Sequence, residues 1–217
     1  MGTAARRSRQ QSRNHTAHWA LPQDGTLTYV ALGDSAGVGV GVDHPEQSYV
    51  GILAQRLGER RGEAIRVVNL AVSGAKARDV LDAQLPRLAT MPTPDFLTCV
   101  IGGNDVAWAL AFRPHEFAQD ILAVAAHLPE GSVMGLVPRF VHWPYEGRAR
   151  KANRAIHRAA QARGHAVADI HAATKELSLR GYLRTFADDR FHPNRIGHTL
   201  WADAIWDRLE RSQPTHS

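Results

Sequence analysis

Ser35 lies in "YVALGDSAGVGVG" (residues 29–41), two positions after Gly33, where an apolar run gives way to closely spaced glycines. A hydroxyl there can attack a carbonyl, bind a phosphate or cap a turn. The nucleotide readings fail on their own requirements. A phosphate loop closes with Gly-Lys-Ser/Thr so that the Lys reaches the ligand, yet residues 36–48 hold no Lys or Arg and only His44. A dinucleotide loop runs G-x-G-x-x-G, whereas Gly37, Gly39 and Gly41 run G-x-G-x-G. Nucleophile and turn cap stand level on position alone.

A Ser nucleophile needs a base to take its proton and, in most arrangements, a carboxylate to orient that base. "ADDRFHPNRIGH" (187–198) holds both: His192 follows Asp189 by three residues, and Pro193 keeps His192 extended, outside the helix that follows. One turn of loop can bring the Asp189 carboxylate to one ring nitrogen and leave the other for Ser35. Asp188 competes for the acid role. The third need is donors for a developing oxyanion. Candidates are the Ser35 backbone N–H, the N–H of Gly74 in "NLAVSGAKARD" (69–79), and the two amide hydrogens of Asn104 in "GGND" (102–105), both expected to point into the crevice.

These residues are far apart in the chain, so a scaffold must gather them. Apolar runs at 26–33, 65–72, 95–102, 131–138 and 165–170 are rich in Val, Ile and Leu and read as strands buried on both faces. Between and after them, 48–62, 77–90, 114–129, 147–164 and 195–212 carry apolar residues at helical spacing. Strand and helix in alternation predict an α/β fold: about five parallel strands, right-handed crossovers, and helices on both faces. In such sheets the site forms beyond the carboxyl ends of the strands, and Ser35, Gly74 and Asn104 each follow one. Residues 171–191 are the least regular stretch and read as a functional loop.

"GDS", Gly74 in "NLAVSGA", "GGND" and "DRFHPN" resemble, in order and spacing, the four sequence blocks of the GDSL-type or SGNH hydrolase family, over residues 29 to about 204. The resemblance implies a three-layer α/β/α, flavodoxin-like fold and hydrolysis of carboxylic esters or thioesters through an acyl-enzyme. It implies Ser35 as nucleophile, His192 as base, Asp189 as its orienting acid, and Ser35, Gly74 and Asn104 as the oxyanion hole. The family's D-x-x-H spacing favours Asp189 over Asp188. Ala36 stands where many members have Leu, which alters packing and not chemistry. A carbohydrate O-deacetylase, a lysophospholipase or thioesterase, and a non-catalytic binding protein on the same scaffold are the alternatives.

Twenty-six Lys and Arg against 21 Asp and Glu give a net charge of +5. Arg6, Arg7, Arg9 and Arg13 fall in an N-terminal stretch without acids, and the remainder is nearly neutral, so a nucleic-acid partner is not expected. Residues 1–24 read as a disordered Arg-rich tail, 25–211 as one domain and 212–217 as a second tail. No apolar run is long enough to span a membrane, and the sequence carries no secretory signal as written, which points to the cytoplasm. Cys99, the only cysteine, reads as an inert core thiol. The 12 His are dispersed, so neither metal nor cofactor is expected. The partner is an acyl ester, small or carried on lipid or glycan; oligomeric state is open.

Other residues after strand ends are Trp108 and Arg113, and Arg139, His142 and Trp143, each a candidate for the pocket rim. Asp34 and Asp105 read as structural, Asp34 accepting from backbone and Asp105 holding the Asn104 loop. His198 reads as packed or hydrogen-bonded on the last helix, and the basic helix over 147–164 as a crossover with a solvated face.

Overall fold

The computed structural model describes residues 2–108, 112–141 and 144–212. Five strands form one parallel sheet: β1 (Leu27–Gly33), β2 (Ile65–Asn69), β3 (Phe96–Val100), β4 (Val133–Gly135) and β5 (Ala166–Ala168), in the order β2-β1-β3-β4-β5. This is the flavodoxin-like order, whose switch point lies between β1 and β3. Along β1, Tyr29 and Ala31 enter one apolar cluster and Val30 and Leu32 another, because successive side chains leave a strand on opposite faces.

The cluster around Tyr29 is covered by α3 (Tyr49–Arg61) and α11 (Arg195–Ser212), through residues such as Leu53, Leu57, Ala202 and Ile205. The cluster around Val30 is covered by α4 (Ala77–Asp79), α5 (Leu85–Leu88), α7 (Pro114–His127) and α8 (Tyr145–Ala162). Helix α8 buries Ala149, Ala152, Ile156 and Ala159 against the sheet and exposes Arg150, Arg154 and Arg158, as expected of a crossover helix, while Arg148 is half-buried and donates to the Val106 carbonyl. Between α4 and α5 the helix expected over 77–90 opens into a π turn at Val80–Gln84. Pro86 has no N–H with which to continue the helical ladder there.

Short helices follow the strand ends: α2 (Ser35–Val38) after β1, α6 (Gly103–Trp108) after β3, and α9 (Ile170–Lys175) and α10 (Leu179–Leu183) after β5. The stretch 171–191 is thus more ordered than expected. Asp169 accepts from the Ala172 N–H and starts α9, and the Ser178 hydroxyl accepts from the Gly181 N–H and starts α10. The irregular part is the loop from 184 to 194.

The expectation of a disordered tail over 1–24 is corrected. Thr3–Trp19 forms α1, a 17-residue helix that lies across the loops at the carboxyl end of β1. Its docking face, made by Ser8, Gln11, Ser12, His15 and Trp19, is largely polar and binds through hydrogen bonds, so no apolar stripe announced it. Of the expected C-terminal tail, Ser212 ends α11, and 213–217 lie outside the described residues. Among the described residues no helix is long and apolar enough to cross a membrane.

Candidate active site

Ser35 sits on the first residue of α2, two after the end of β1, and is 6% exposed. Its position is fixed from both sides. The buried Gln84 clamps Gly33, accepting from the Gly33 N–H at 2.9 Å and donating to the Gly33 carbonyl at 2.8 Å. Asp34 accepts from the Ala36 N–H at 3.0 Å and so starts α2. Asn69, at the end of β2, donates to the Gly37 carbonyl at 2.7 Å.

The 184–194 loop carries His192 over Ser35. His192 Nε2 is 3.0 Å from Ser35 Oγ, and His192 Nδ1 is 2.6 Å from Asp189 Oδ2. The other oxygen, Asp189 Oδ1, accepts from the backbone N–H groups of Phe191 and His192, both at 3.0 Å, closing a tight turn in which Arg190 takes φ +56°. Asn194 pins the loop's far end. Its side chain donates to the Arg184 and Phe186 carbonyls and accepts from the Ile196 and Gly197 N–H groups at the start of α11. Gly41 allows the neighbouring loop to press against this one, since a Cβ there would stand 2.1 Å from the Pro193 carbonyl oxygen, and its φ is +107°.

Electrostatics match this arrangement. Burial pushes the Asp189 carboxyl up, but hydrogen bonds from His192 and Ser8 outweigh it and hold the group well below the usual carboxylate range. Asp189 is therefore an anion that fixes a hydrogen on His192 Nδ1 and leaves Nε2 to accept from the Ser35 hydroxyl. Asp34 behaves differently: burial pushes its carboxyl up to about 6, against the Ala36 hydrogen bond. Asp188 does not approach His192; its side chain is 78% exposed and pairs with Arg7 at 3.2 Å.

The expected oxyanion donors converge only in part. The Ser35 and Gly74 N–H groups make no hydrogen bond to another described residue. Gly74 occupies the third position of a turn closed by the Ala75 N–H on the Val72 carbonyl, with φ +85°, and a Cβ there would meet nothing within 4 Å. The glycine is required by backbone conformation, not by close packing. Asn104 does not aim both hydrogens into the crevice. Its Nδ2 donates to the Ala75 carbonyl at 2.9 Å, tying its own loop to the Gly74 turn, and lies 3.5 Å from Asp34 Oδ2. Asp105 accepts from the Ala77 N–H at 3.2 Å, so it holds the Gly74 loop to its own.

A cavity of about 60 Å³, more enclosed than the groove beside it, adjoins Ser35 and is walled by apolar residues including Val100, Val137, Phe191 and Trp201. Arg139 borders it as expected, with its guanidinium over the Tyr182 ring. An open groove of about 790 Å³ shares Phe140, Tyr182, Phe186 and Phe191 with the cavity. Arg113 is exposed and pairs with Glu116. His142, Trp143 and the side chain of Trp108 lie outside the described residues. Cys99 is buried, and burial pushes its thiol up to about 12. No group of three or more His, Cys, Asp or Glu among the described residues is placed to hold a metal.

Sequence reasoning missed Gln84, Asn194 and Ser8. Asn194 could have been found as the helix cap before the apolar positions of α11. Nothing in the sequence marks the other two.

The family model described as GDSL-like lipase/acylhydrolase matches residues 31–200. Among curated proteins no relative matches. Similar solved structures include a variant of Axe2, an acetyl xylan esterase from Geobacillus stearothermophilus, at 22% identity and a TM-score of 0.70 over 88% of this chain and 98% of that one. A lipase/acylhydrolase from Enterococcus faecalis matches at 19% identity and a TM-score of 0.72, over 88% of this chain and 100% of that one. TesA matches at 21% identity and a TM-score of 0.69, over 86% and 99%.

Proposed function

This chain belongs to the GDSL-like lipase/acylhydrolase family, and from that premise we propose that it is a serine esterase working through an acyl-serine intermediate. The observation that carries the reading is the unbroken path from Asp189 Oδ2 through both nitrogens of His192 to Ser35 Oγ, with separations of 2.6 and 3.0 Å. Ser35 Oγ attacks the acyl carbonyl while His192 Nε2 takes its proton. The Asp189 carboxylate stabilises the imidazolium that forms. Negative charge on the former carbonyl oxygen meets the Ser35 and Gly74 N–H groups and the Asn104 amide hydrogen not engaged by Ala75. His192 then gives its proton to the departing alcohol or thiol. In the second half it activates water, which releases the acid and restores the Ser35 hydroxyl.

The spaces around Ser35 favour one kind of ester. The cavity of about 60 Å³ suits an acyl group of a few heavy atoms, because room for a single water is about 10–15 Å³ of such space. The aromatic groove suits a larger alcohol part. The reading is therefore a short acyl group on a bulky alcohol, closer to the O-deacetylase alternative than to the lysophospholipase or thioesterase one. Labelling with a fluorophosphonate tests the nucleophile: wild type reacts and Ser35→Ala does not, whereas equal labelling of both places the nucleophile elsewhere.

A further inference from the structure

Helix α1 lies before residue 31, outside the stretch that the family model matches, yet it makes hydrogen bonds to both sides of the candidate site. Ser8 Oγ is 2.6 Å from Asp189 Oδ2, the oxygen that also receives His192 Nδ1. The hydroxyl has a single hydrogen, and its other acceptor, the Ala4 carbonyl, is at 3.1 Å. A separation of 2.6 Å is that of a hydroxyl donating to an anion. One turn along, Ser12 Oγ is 2.7 Å from Ser73 Oγ, in the turn that bears Gly74. Residues 8 and 12 share a helix face, so one rigid element touches the acid and the oxyanion loop together.

The rest of that face anchors the helix. Gln11 donates to the Val42 carbonyl at 2.8 Å and accepts from the Gly41 N–H at 3.2 Å. His15 Nδ1 lies 3.0 Å from the Gly39 carbonyl, and Trp19 Nε1 donates to the Val38 carbonyl at 3.1 Å. Arg7 spans Asp43 and Asp188, joining the two loops that meet at Gly41 and Pro193.

We infer that α1 belongs to the esterase machinery, with Ser8 a positioning residue that holds the Asp189 carboxylate in register with His192, and with Ser12 steadying the Gly74 turn. The inference rests on the serine esterase reading. Asp189 Oδ1 is fixed by two backbone N–H groups, while Oδ2 has, among the described residues, the side chains of His192 and Ser8 as its only partners. Without Ser8 the carboxylate can turn about its last bond, and the charge that Ser8 shared falls on His192 alone.

The test is steady-state hydrolysis of p-nitrophenyl acetate across pH by the wild type, Ser8→Ala, Ser8→Thr and Ser35→Ala, each as the full chain. The titratable groups that interact with His192 are Asp189 on its own loop, Asp34 before α2 and His198 on α11, while Arg7 on α1 pairs with Asp188, which points away from the ring. All remain in every Ser8 variant. Ser8→Ala is expected to lose roughly tenfold in kcat, the scale of one hydrogen bond to a charged group, with KM unchanged. The acid limb of its profile moves to higher pH, since a carboxylate without Ser8 favours the imidazolium more strongly. Ser8→Thr restores both. Ser8→Ala with wild-type kcat and profile, or a loss that Ser8→Thr does not restore, overturns the inference. Wild-type turnover by Ser35→Ala instead overturns the esterase reading beneath it.

Discussion

Asp188 and Asp189 are neighbours in the chain with opposite surroundings: Asp189 lies 2.6 Å from His192 Nδ1, and Asp188 points to solvent and Arg7. The loop turns at Arg190, and Asp189, three residues before His192, both accepts from its backbone N–H and lies against its ring.

Exchange of each acid for its amide separates the two. Asp189→Asn presents a donor to His192 Nδ1 and favours the wrong tautomer, and a drop on the order of 10⁴ in kcat is the precedent for that change. Asp188→Asn removes one exposed ion pair and is expected to leave kcat within about twofold, because such pairs contribute little. Steady-state rates of the two variants on one ester check both statements.

Asn104 has two duties, since one amide hydrogen holds the Ala75 carbonyl. In the proposed mechanism Asn104→Ala therefore removes one oxyanion donor and loosens the turn that carries Gly74, another. The expected loss in kcat is about 10²- to 10³-fold or more, with KM little changed. Asn104→Asp gains no activity, because a carboxylate cannot donate. A change confined to KM would assign Asn104 to ground-state binding.

His198 is fully buried, its Nδ1 accepting from the Tyr49 N–H at 3.2 Å and its Nε2 3.4 Å from the Val40 carbonyl. Burial pushes the imidazole down to about 3. The folded value is depressed, so the unfolded chain takes up this proton first, and the stabilisation present above about 6.5 is lost as pH falls toward 3. Asp34 and Asp105, both pushed up by burial to about 6, act in the opposite sense, losing stability as pH rises through that value. They are common to wild type and His198→Gln, so the difference between the two isolates the histidine. Thermal melts should show wild type ahead at pH 7 and the gap narrowing by up to about 1.4 kcal/mol per pH unit below 6. A gap independent of pH contradicts the assignment.

The scaffold was legible because the strands are apolar on both faces: Tyr29, Val30, Ala31 and Leu32 in a row admit few other readings. Strand-end position made Ser35 a candidate and the 187–198 loop offered His192 and an acid, but the choice of nucleophile over turn cap and of Asp189 over Asp188 rested on the resemblance to the GDSL-type blocks. Helix α1 was not, since composition points to disorder wherever apolar residues are scarce, and here Ser8, Gln11 and Ser12 dock by hydrogen bonds whose partners are 30 to 181 residues away. The clamp of Gln84 on Gly33 is hidden for the same reason. In sequence it is one polar residue on a helix, and only the fold buries it at the end of β1.

Chain length should divide the esters sharply. With a cavity of about 60 Å³ beside Ser35, p-nitrophenyl acetate is expected to exceed the butyrate in kcat/KM by about tenfold, since forcing extra methylenes into a filled apolar site costs about 1 to 3 kcal/mol. The octanoate should fall further. A rate that rises from acetate to octanoate would show that the acyl chain lies in the outer groove instead.

In the proposed mechanism Ser35, activated by His192, opens the ester. Initial rates of p-nitrophenyl acetate hydrolysis by wild type and Ser35→Ala test it most directly, with thermal melts to confirm that both are folded. Turnover by the wild type is expected, with a fall on the order of 10⁴ or more in the folded variant. Turnover by Ser35→Ala at the wild-type rate would contradict it.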